Sequence, residues 1–152
     1  MTAAVFGLVG VVIGALITGG TNYVLQVRAE RREIRAAARL MLQELTNTGA
    51  AIRYAIELDD REFLRGATSE DEWRTHHLLL ARHLSDEEWD AVALGYGEGT
   101  VALVLVDGLQ PDEWQAKARE IADIVDDGCR VLLTRAHRKG SDAAPVISAA
   151  TT

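Results

Sequence analysis

The chain has 152 residues and a net charge of −7, and this length suits one small domain. From Gly66 to Arg138 fifteen acidic residues stand against seven basic ones, which argues against nucleic acid as a partner because phosphate binding needs a basic surface. The single cysteine, Cys129, excludes an internal disulfide, and we interpret it as a small buried helix residue.

The first segment of the chain is apolar, and residues 2–27 carry no charged side chain. As a helix this segment would be about 39 Å long at 1.5 Å per residue, enough to cross a hydrocarbon core with some tilt. The sequence therefore predicts a transmembrane anchor over residues 1–27. A cleaved signal peptide is the alternative, since Thr18, Gly19 and Gly20 could form a cleavage site, but the positively charged start of such peptides is missing.

Five arginines follow the apolar segment at once. They are Arg28, Arg31, Arg32, Arg35 and Arg39. Arginines in a short segment beside a membrane helix favour the cytoplasmic side, and they can contact anionic lipid. We therefore expect the N-terminus outside and the rest of the chain in the cytosol.

Small residues recur along the predicted anchor at spacings of three and four, which places them on one helix face. They include Gly7, Gly10, Gly14 and Thr18. Small residues let membrane helices approach closely, so this ridge predicts packing against a second copy or another membrane protein. The alternative is that glycine is simply common in membrane helices.

Three helix starts follow a shared pattern in the second half of the chain. Ser-x-x-Glu capping boxes begin at Ser69 and at Ser85, and Pro111 suits the first position of a later helix. A tryptophan occupies the fourth helical position after each start: Trp73, Trp89 and Trp114. We interpret these tryptophans as packing anchors, with ligand stacking as the alternative.

These signals predict an all-α fold in which the anchor continues into a small antiparallel cytosolic bundle. The expected helices cover about 28–65, 70–83, 86–106 and 111–138, and residues 139–152 are expected to be a disordered tail. Residues 95–106 have an alternative interpretation, because Gly95, Gly97 and Gly99 disfavour a helix and a buried strand could follow them.

Candidate chemistry is limited to one group of side chains on the predicted second helix. Glu72 and His76 are four residues apart and share a face, and His83 follows seven residues later. Three or four such ligands could hold a metal, although solvent-exposed or capping histidines explain the pattern as well. The sequence contains no catalytic motif, so we predict no catalytic residue, metal or cofactor.

The layout as a whole resembles small bacterial, actinobacterial-like single-pass membrane proteins with a glycine-rich N-terminal anchor and a Trp-punctuated helical cytosolic region. The resemblance rests on the residues quoted above and on the scarcity of lysine, which is limited to Lys117 and Lys139. It implies a kingdom and a layout, and it transfers no active residue.

Together these observations predict a membrane-anchored, non-enzymatic interaction or scaffold module that binds an unidentified cytosolic protein. Two alternatives stay open. One is a metal-dependent sensor or enzyme that uses the second-helix histidines. The other is a small phage-type membrane-acting protein, which the large cytosolic region disfavours.

Overall fold

The computed structural model describes residues 2–64 and 69–137, with side chains throughout except at positions 2–13, 15, 16 and 103. In the described residues the protein is helical and has no strand, which confirms the predicted all-α class. The helices are α1 (Thr2–Leu58), α2 (Asp71–Ala81), α3 (Asp86–Thr100), α4 (Ala102–Val106) and α5 (Pro111–His137), with a 3-10 helix at Arg61–Leu64. The predicted tail 139–152 lies outside the described residues.

α1 is one continuous helix of 57 residues. It ends at Leu58, so the predicted end at Arg65 is wrong. Asp59 adopts a left-handed backbone conformation, with φ of 53°. Its N–H donates to the carbonyl three residues back at 3.3 Å, and the N–H of Asp60 donates to the carbonyl five residues back at 3.0 Å. This paired arrangement is a Schellman ending, here with aspartate where glycine is usual.

The predicted helix 86–106 forms, but as two helices that meet at Val101. The strand alternative is therefore wrong. Gly95 and Gly99 lie on the buried face of α3, where helices approach closely. A Cβ atom at Gly99 would lie 2.9 Å from the Cγ2 atom of Thr48 on α1, so a side chain at this position would displace the Thr48 side chain or α3 itself.

The long helices alternate in direction, as predicted for an antiparallel bundle. α5 packs against α1 and α3, and α2 packs against α1. The ion pair between Arg53 and Asp126 (2.9 Å) and the contact between Thr46 and Cys129 (3.8 Å) run in opposite senses along α1 and α5. We call the end of the bundle that holds the C-terminus of α1, the 3-10 helix, α4 and the start of α5 the distal end.

The core lies between α1, α3 and α5, and α2 closes one side of it. Its largest fully buried side chains are Trp114, Met41, Leu45, Ile52, Leu80, Ile121, Leu132, Val92, Val106 and Val125. On α1 the buried positions begin at Ala37 and Ala38. Before them Ile34 packs against the core and Glu30 contacts His83, so the part of α1 before Glu30 is the part that extends beyond the bundle.

Candidate functional site

The extending part of α1 is the first candidate site, because apolar side chains on it stay exposed. Ile17 is 64% exposed and Tyr23 is 61% exposed, and Val24 and Leu25 are exposed as well. These side chains do not contribute to the core. An isolated helix in water gains little stability from its own hydrogen bonds, so such a surface favours either lipid or a packing partner.

A shallow groove follows one side of this extending helix. It is lined by Ile17, Gly20, Thr21, Val24, Leu25 and Arg28. The Thr21 hydroxyl donates to the carbonyl of Ile17 at 2.8 Å, which satisfies a polar group within the helix itself. The groove is thus apolar along most of its length and ends at the first arginine.

The predicted small-residue ridge falls partly outside the described side chains, which exclude positions 7 and 10. Thr18 is exposed, and a Cβ atom at Gly14 would contact nothing within 4 Å. The described side chains of α1 are continuous from Ile17 onwards. Among the residues with described side chains, no helix is long and apolar enough to cross a membrane. The predicted packing role of the ridge stays a prediction.

The five arginines lie on α1 where it joins the bundle. Arg28, Arg31, Arg32 and Arg39 are exposed, whereas Arg35 is half-buried and its Nε donates to the carbonyl of Arg31 at 3.1 Å. Glu30, which lies among them, contacts His83 at 3.4 Å. These five arginines, the arginine belt, recur at spacings of three and four residues and therefore share one face of α1, at the end of the bundle opposite to the distal end.

The structure does not bring the candidate metal ligands together. His76 contacts Glu72 at 3.3 Å, but His83 lies beyond the end of α2 at Ala81 and contacts Glu30 of α1 instead. The sequence predicts His83 on the same helix face as His76, but α2 ends at Ala81, two residues before it. In the described part of the chain no group of three histidine, cysteine, aspartate or glutamate residues could hold a metal ion.

Sequence reasoning missed Glu44, the most informative polar side chain of the bundle. Glu44 is 8% exposed and lies on the buried stripe of α1 between Met41 and Leu45. Its carboxylate accepts hydrogen bonds from the backbone N–H groups of Glu72 (3.3 Å) and Trp73 (3.2 Å). A carboxylate among apolar residues at helical spacing was the only signal in the sequence.

Glu44 therefore caps α2 from a different helix. The predicted capping box at Ser69 is wrong, because the first residue before α2 is Glu70 and the Ser69 hydroxyl accepts from Asp71 rather than from Glu72. The box at Ser85 is confirmed, with both reciprocal hydrogen bonds to Glu88 present. The two helix starts differ in the source of the cap. The carboxylate of Glu44 on α1 caps α2, whereas α3 is capped by its own residues Ser85 and Glu88.

An aromatic cluster surrounds this junction between α1, α2 and α3. Trp73 stacks on Trp89 and on His77, with ring centroids 5.2 Å and 5.5 Å apart, and its ring lies 4.8 Å from that of Tyr96. The Tyr96 hydroxyl donates to the carbonyl of Met41 at 2.8 Å, and burial, with Glu44 nearby, raises the pKa of Tyr96. The rings of this cluster pack against one another and hold α2 against the rest of the bundle.

The remaining tryptophan and the cysteine are also part of the packing. Trp114 is 1% exposed in the core, and the guanidinium of Arg61 lies over its ring, 5.4 Å from the centroid. Cys129 is half-buried, and burial raises the pKa of its thiol. The thiolate is therefore scarce at neutral pH, which disfavours a nucleophilic role.

One ion pair links α3 to the end of α5 and makes stability depend on pH. The guanidinium of Arg135 binds the carboxylate of Glu88, and this hydrogen bond lowers the pKa of Glu88 below its ordinary value of 4.5. Because the pKa of Glu88 is lower in the folded state, the ion pair stabilises the fold fully above about pH 4.5. This contribution is lost as the pH falls through the lowered pKa.

We therefore expect Glu88→Gln to lower the free energy of unfolding by about 1 kcal/mol at pH 7, since the pair is only partly buried. The difference from the original protein should shrink towards zero at pH 3. Urea denaturation at both pH values measures it, with the exposed neighbour Glu87→Gln as the control. A difference that is the same at pH 7 and pH 3 would contradict the assignment.

Comparison with known proteins adds no relative: no family model, no curated protein and no solved structure matches the chain. The functional conclusion therefore depends on the exposed segment of α1, the arginine belt and the surfaces of the bundle.

Proposed function

We propose that this protein is a single-pass, membrane-anchored interaction module without enzymatic activity, held at the inner face of a bacterial membrane. Residues 1–27 are the anchor. The bundle stands in the cytosol as a small platform that binds another protein. Glu44 caps α2 and Glu88 pairs with Arg135, which supports a structural use of these two carboxylates.

The observation that carries the proposal is the continuity of α1. One helix runs from Thr2 to Leu58, and residues 2–27 have no charged side chain. Where side chains are described in this stretch, Ile17, Tyr23 and Leu25 are exposed and outside the core. Exposing this much apolar surface to water is unfavourable by roughly 25 cal/mol per Å², whereas lipid solvates it readily.

The arginine belt supports the proposed orientation. It begins at Arg28, directly after the uncharged stretch, and the buried positions of α1 begin at Ala37. Arginine beside a membrane helix is retained on the cytoplasmic side, which places the bundle in the cytosol and the N-terminus outside. The same belt would contact anionic lipid headgroups.

The anchor is also the proposed site of association within the membrane. The groove beside Ile17, Gly20 and Val24 continues the line of small residues that includes Gly14. Close approach of backbones provides most of the packing energy between membrane helices, so a second copy or another membrane helix suits this face.

Alkaline carbonate extraction of membranes from cells that express the full-length protein tests the proposal. We expect the protein to stay in the membrane pellet. The double variant Val12→Arg and Ile13→Arg should move it to the supernatant, because each arginine at the bilayer centre costs roughly 2.5 to 3.5 kcal/mol on insertion.

The control variant also introduces two arginines, but within the arginine belt, as Glu30→Arg and Glu33→Arg. This variant should stay in the pellet, since the cytoplasmic side favours positive charge. If the original protein is soluble and monodisperse after release from cells without detergent, the membrane proposal is overturned. So would equal extraction of both double variants.

A further inference from the structure

The distal end of the bundle carries an exposed apolar patch. Tyr54 and Phe63 contact each other with ring centroids 4.9 Å apart, and Leu58 lies one helical turn after Tyr54. Their exposed fractions are 46%, 44% and 53%. We call these three residues the distal patch. Single exposed apolar residues are ordinary, but adjacent large ones that include two aromatic rings are typical of interaction sites.

The distal patch is held in place by its surroundings. The Schellman ending at Asp59 fixes the turn between Leu58 and the 3-10 helix, and Gln115 of α5 donates to the carboxylate of Asp59 at 2.9 Å. Arg61 donates to the carbonyl of Val106 at 3.4 Å. A surface ordered before binding loses little conformational entropy when a partner arrives.

Acidic residues are concentrated in the segments that form this end of the bundle. They are Glu57, Asp59, Asp60, Glu62, Asp107, Asp112 and Glu113. The basic side chains described near this end have partners of their own: Arg61 lies over the Trp114 ring, Arg53 pairs with Asp126, Lys117 pairs with Glu120, and Arg119 donates to Gln115. No group of the described residues could hold a metal ion, so these carboxylates do not form a metal site. They give the distal end a strongly negative potential.

We propose that the distal end binds a basic amphipathic helix of a partner protein. The apolar face of that helix would cover the distal patch, and its lysines and arginines would contact the surrounding carboxylates, as in other complexes of a helix with an apolar surface. The proposal specifies the partner chemistry of the interaction module proposed above, and it does not require the membrane anchor.

Charge excludes the main competing occupants. A second copy that presented the same end would bring two sets of carboxylates together, and an anionic membrane would repel them. The arginine belt lies at the opposite end of the bundle. In the proposed orientation the distal end therefore points away from the membrane, where a cytosolic protein can reach it.

Fluorescence anisotropy can test the proposal with a defined probe. The probe is a labelled 18-residue peptide of leucine and lysine at amphipathic helical spacing, titrated with the full chain in phosphatidylcholine nanodiscs, with empty nanodiscs as background. We expect saturable binding that weakens as salt rises. A peptide with glutamate in place of lysine should not bind.

The patch variant combines Tyr54→Ser, Leu58→Ser and Phe63→Ser, and the control combines Leu78→Ser and Leu94→Ser. The control residues are 63% and 52% exposed on α2 and α3, away from the distal end. We expect the patch variant to bind the probe about tenfold more weakly or worse, and the control to bind like the original protein. Far-UV circular dichroism confirms that both variants fold.

Three results would overturn the proposal: no binding by the original protein beyond empty nanodiscs, an unchanged affinity in the patch variant, or an equal loss in the control. Failure of the membrane proposal is distinguishable, because a protein that is soluble in the carbonate experiment can be titrated with the same peptide in buffer.

Discussion

Replacing Trp114 with alanine should lower the free energy of unfolding by about 3 to 5 kcal/mol, the largest loss we expect from a single substitution. The ring is 1% exposed, lies near the start of α5 and contacts the Arg61 guanidinium on its face. Truncation leaves a large cavity beside the distal end and removes the cation–π contact. Urea denaturation of the full-length protein, followed by far-UV circular dichroism, measures the effect.

Leu94→Ala is the matched control for that experiment. Leu94 is exposed on α3 and does not contribute to the core, so its truncation should change stability by no more than about 0.5 kcal/mol. If Trp114→Ala lowers the free energy of unfolding by less than about 1 kcal/mol, the start of α5 is not packed in the core as described.

Replacing Glu44 with alanine should release α2 from the bundle, at a cost of about 2 to 4 kcal/mol. The substitution removes two hydrogen bonds to an ionised acceptor and leaves the N–H groups of Glu72 and Trp73 without that partner. Glu44→Gln keeps one acceptor oxygen and should lose about half as much. Denaturation gives the total, and amide hydrogen exchange shows where the loss occurs.

Exchange should rise first at the amides of Glu72 and Trp73 and along α2, while α5 keeps its protection. Glu57→Ala is the control, because Glu57 lies on the same helix with an exposed side chain. Uniform acceleration across all helices in Glu44→Ala would mean that α2 is not a separate unit held by this carboxylate.

The two substitutions separate the parts that a binding platform needs. Trp114 and Arg61 support the distal end, where we propose that the partner binds. Glu44 and the aromatic cluster hold α2, which lies at the side of the bundle. We therefore expect Glu44→Gln to leave binding of the leucine–lysine peptide unchanged, since Glu44 belongs neither to the distal patch nor to the carboxylates of the distal end.

Local signals predicted the helix starts only where no other element competes for the same backbone groups. The serine and glutamate at Ser85 and Glu88 cap α3 by themselves, and Pro111 begins α5 as expected. At Ser69 the same pattern failed, because Glu44 arrives from α1 and accepts the same class of N–H donors. A residue 28 positions away in the chain carries no local signal.

The candidate metal group failed for a related reason. Glu72 and His76 are close because four residues separate them on one helix, whereas His83 would share their face only if that helix continued. The chain turns after Ala81 instead, and His83 faces Glu30. Helix ends fray and shift by one or two residues, so spacing alone does not fix the face of a residue near a predicted end.

The amino-acid sequence alone determined the helical class, the start of α3, the uncharged first segment and the arginine belt after it. These features depend on spacing and charge along one stretch of chain, where neighbours in sequence are neighbours in space. Tertiary structure decided the end of α1 at Leu58, the capping of α2 by Glu44 and the distal patch beside its carboxylates. The capping joins residues 28 positions apart, and Gln115 of α5 holds the turn at Asp59, so both depend on helices that only folding brings within contact distance.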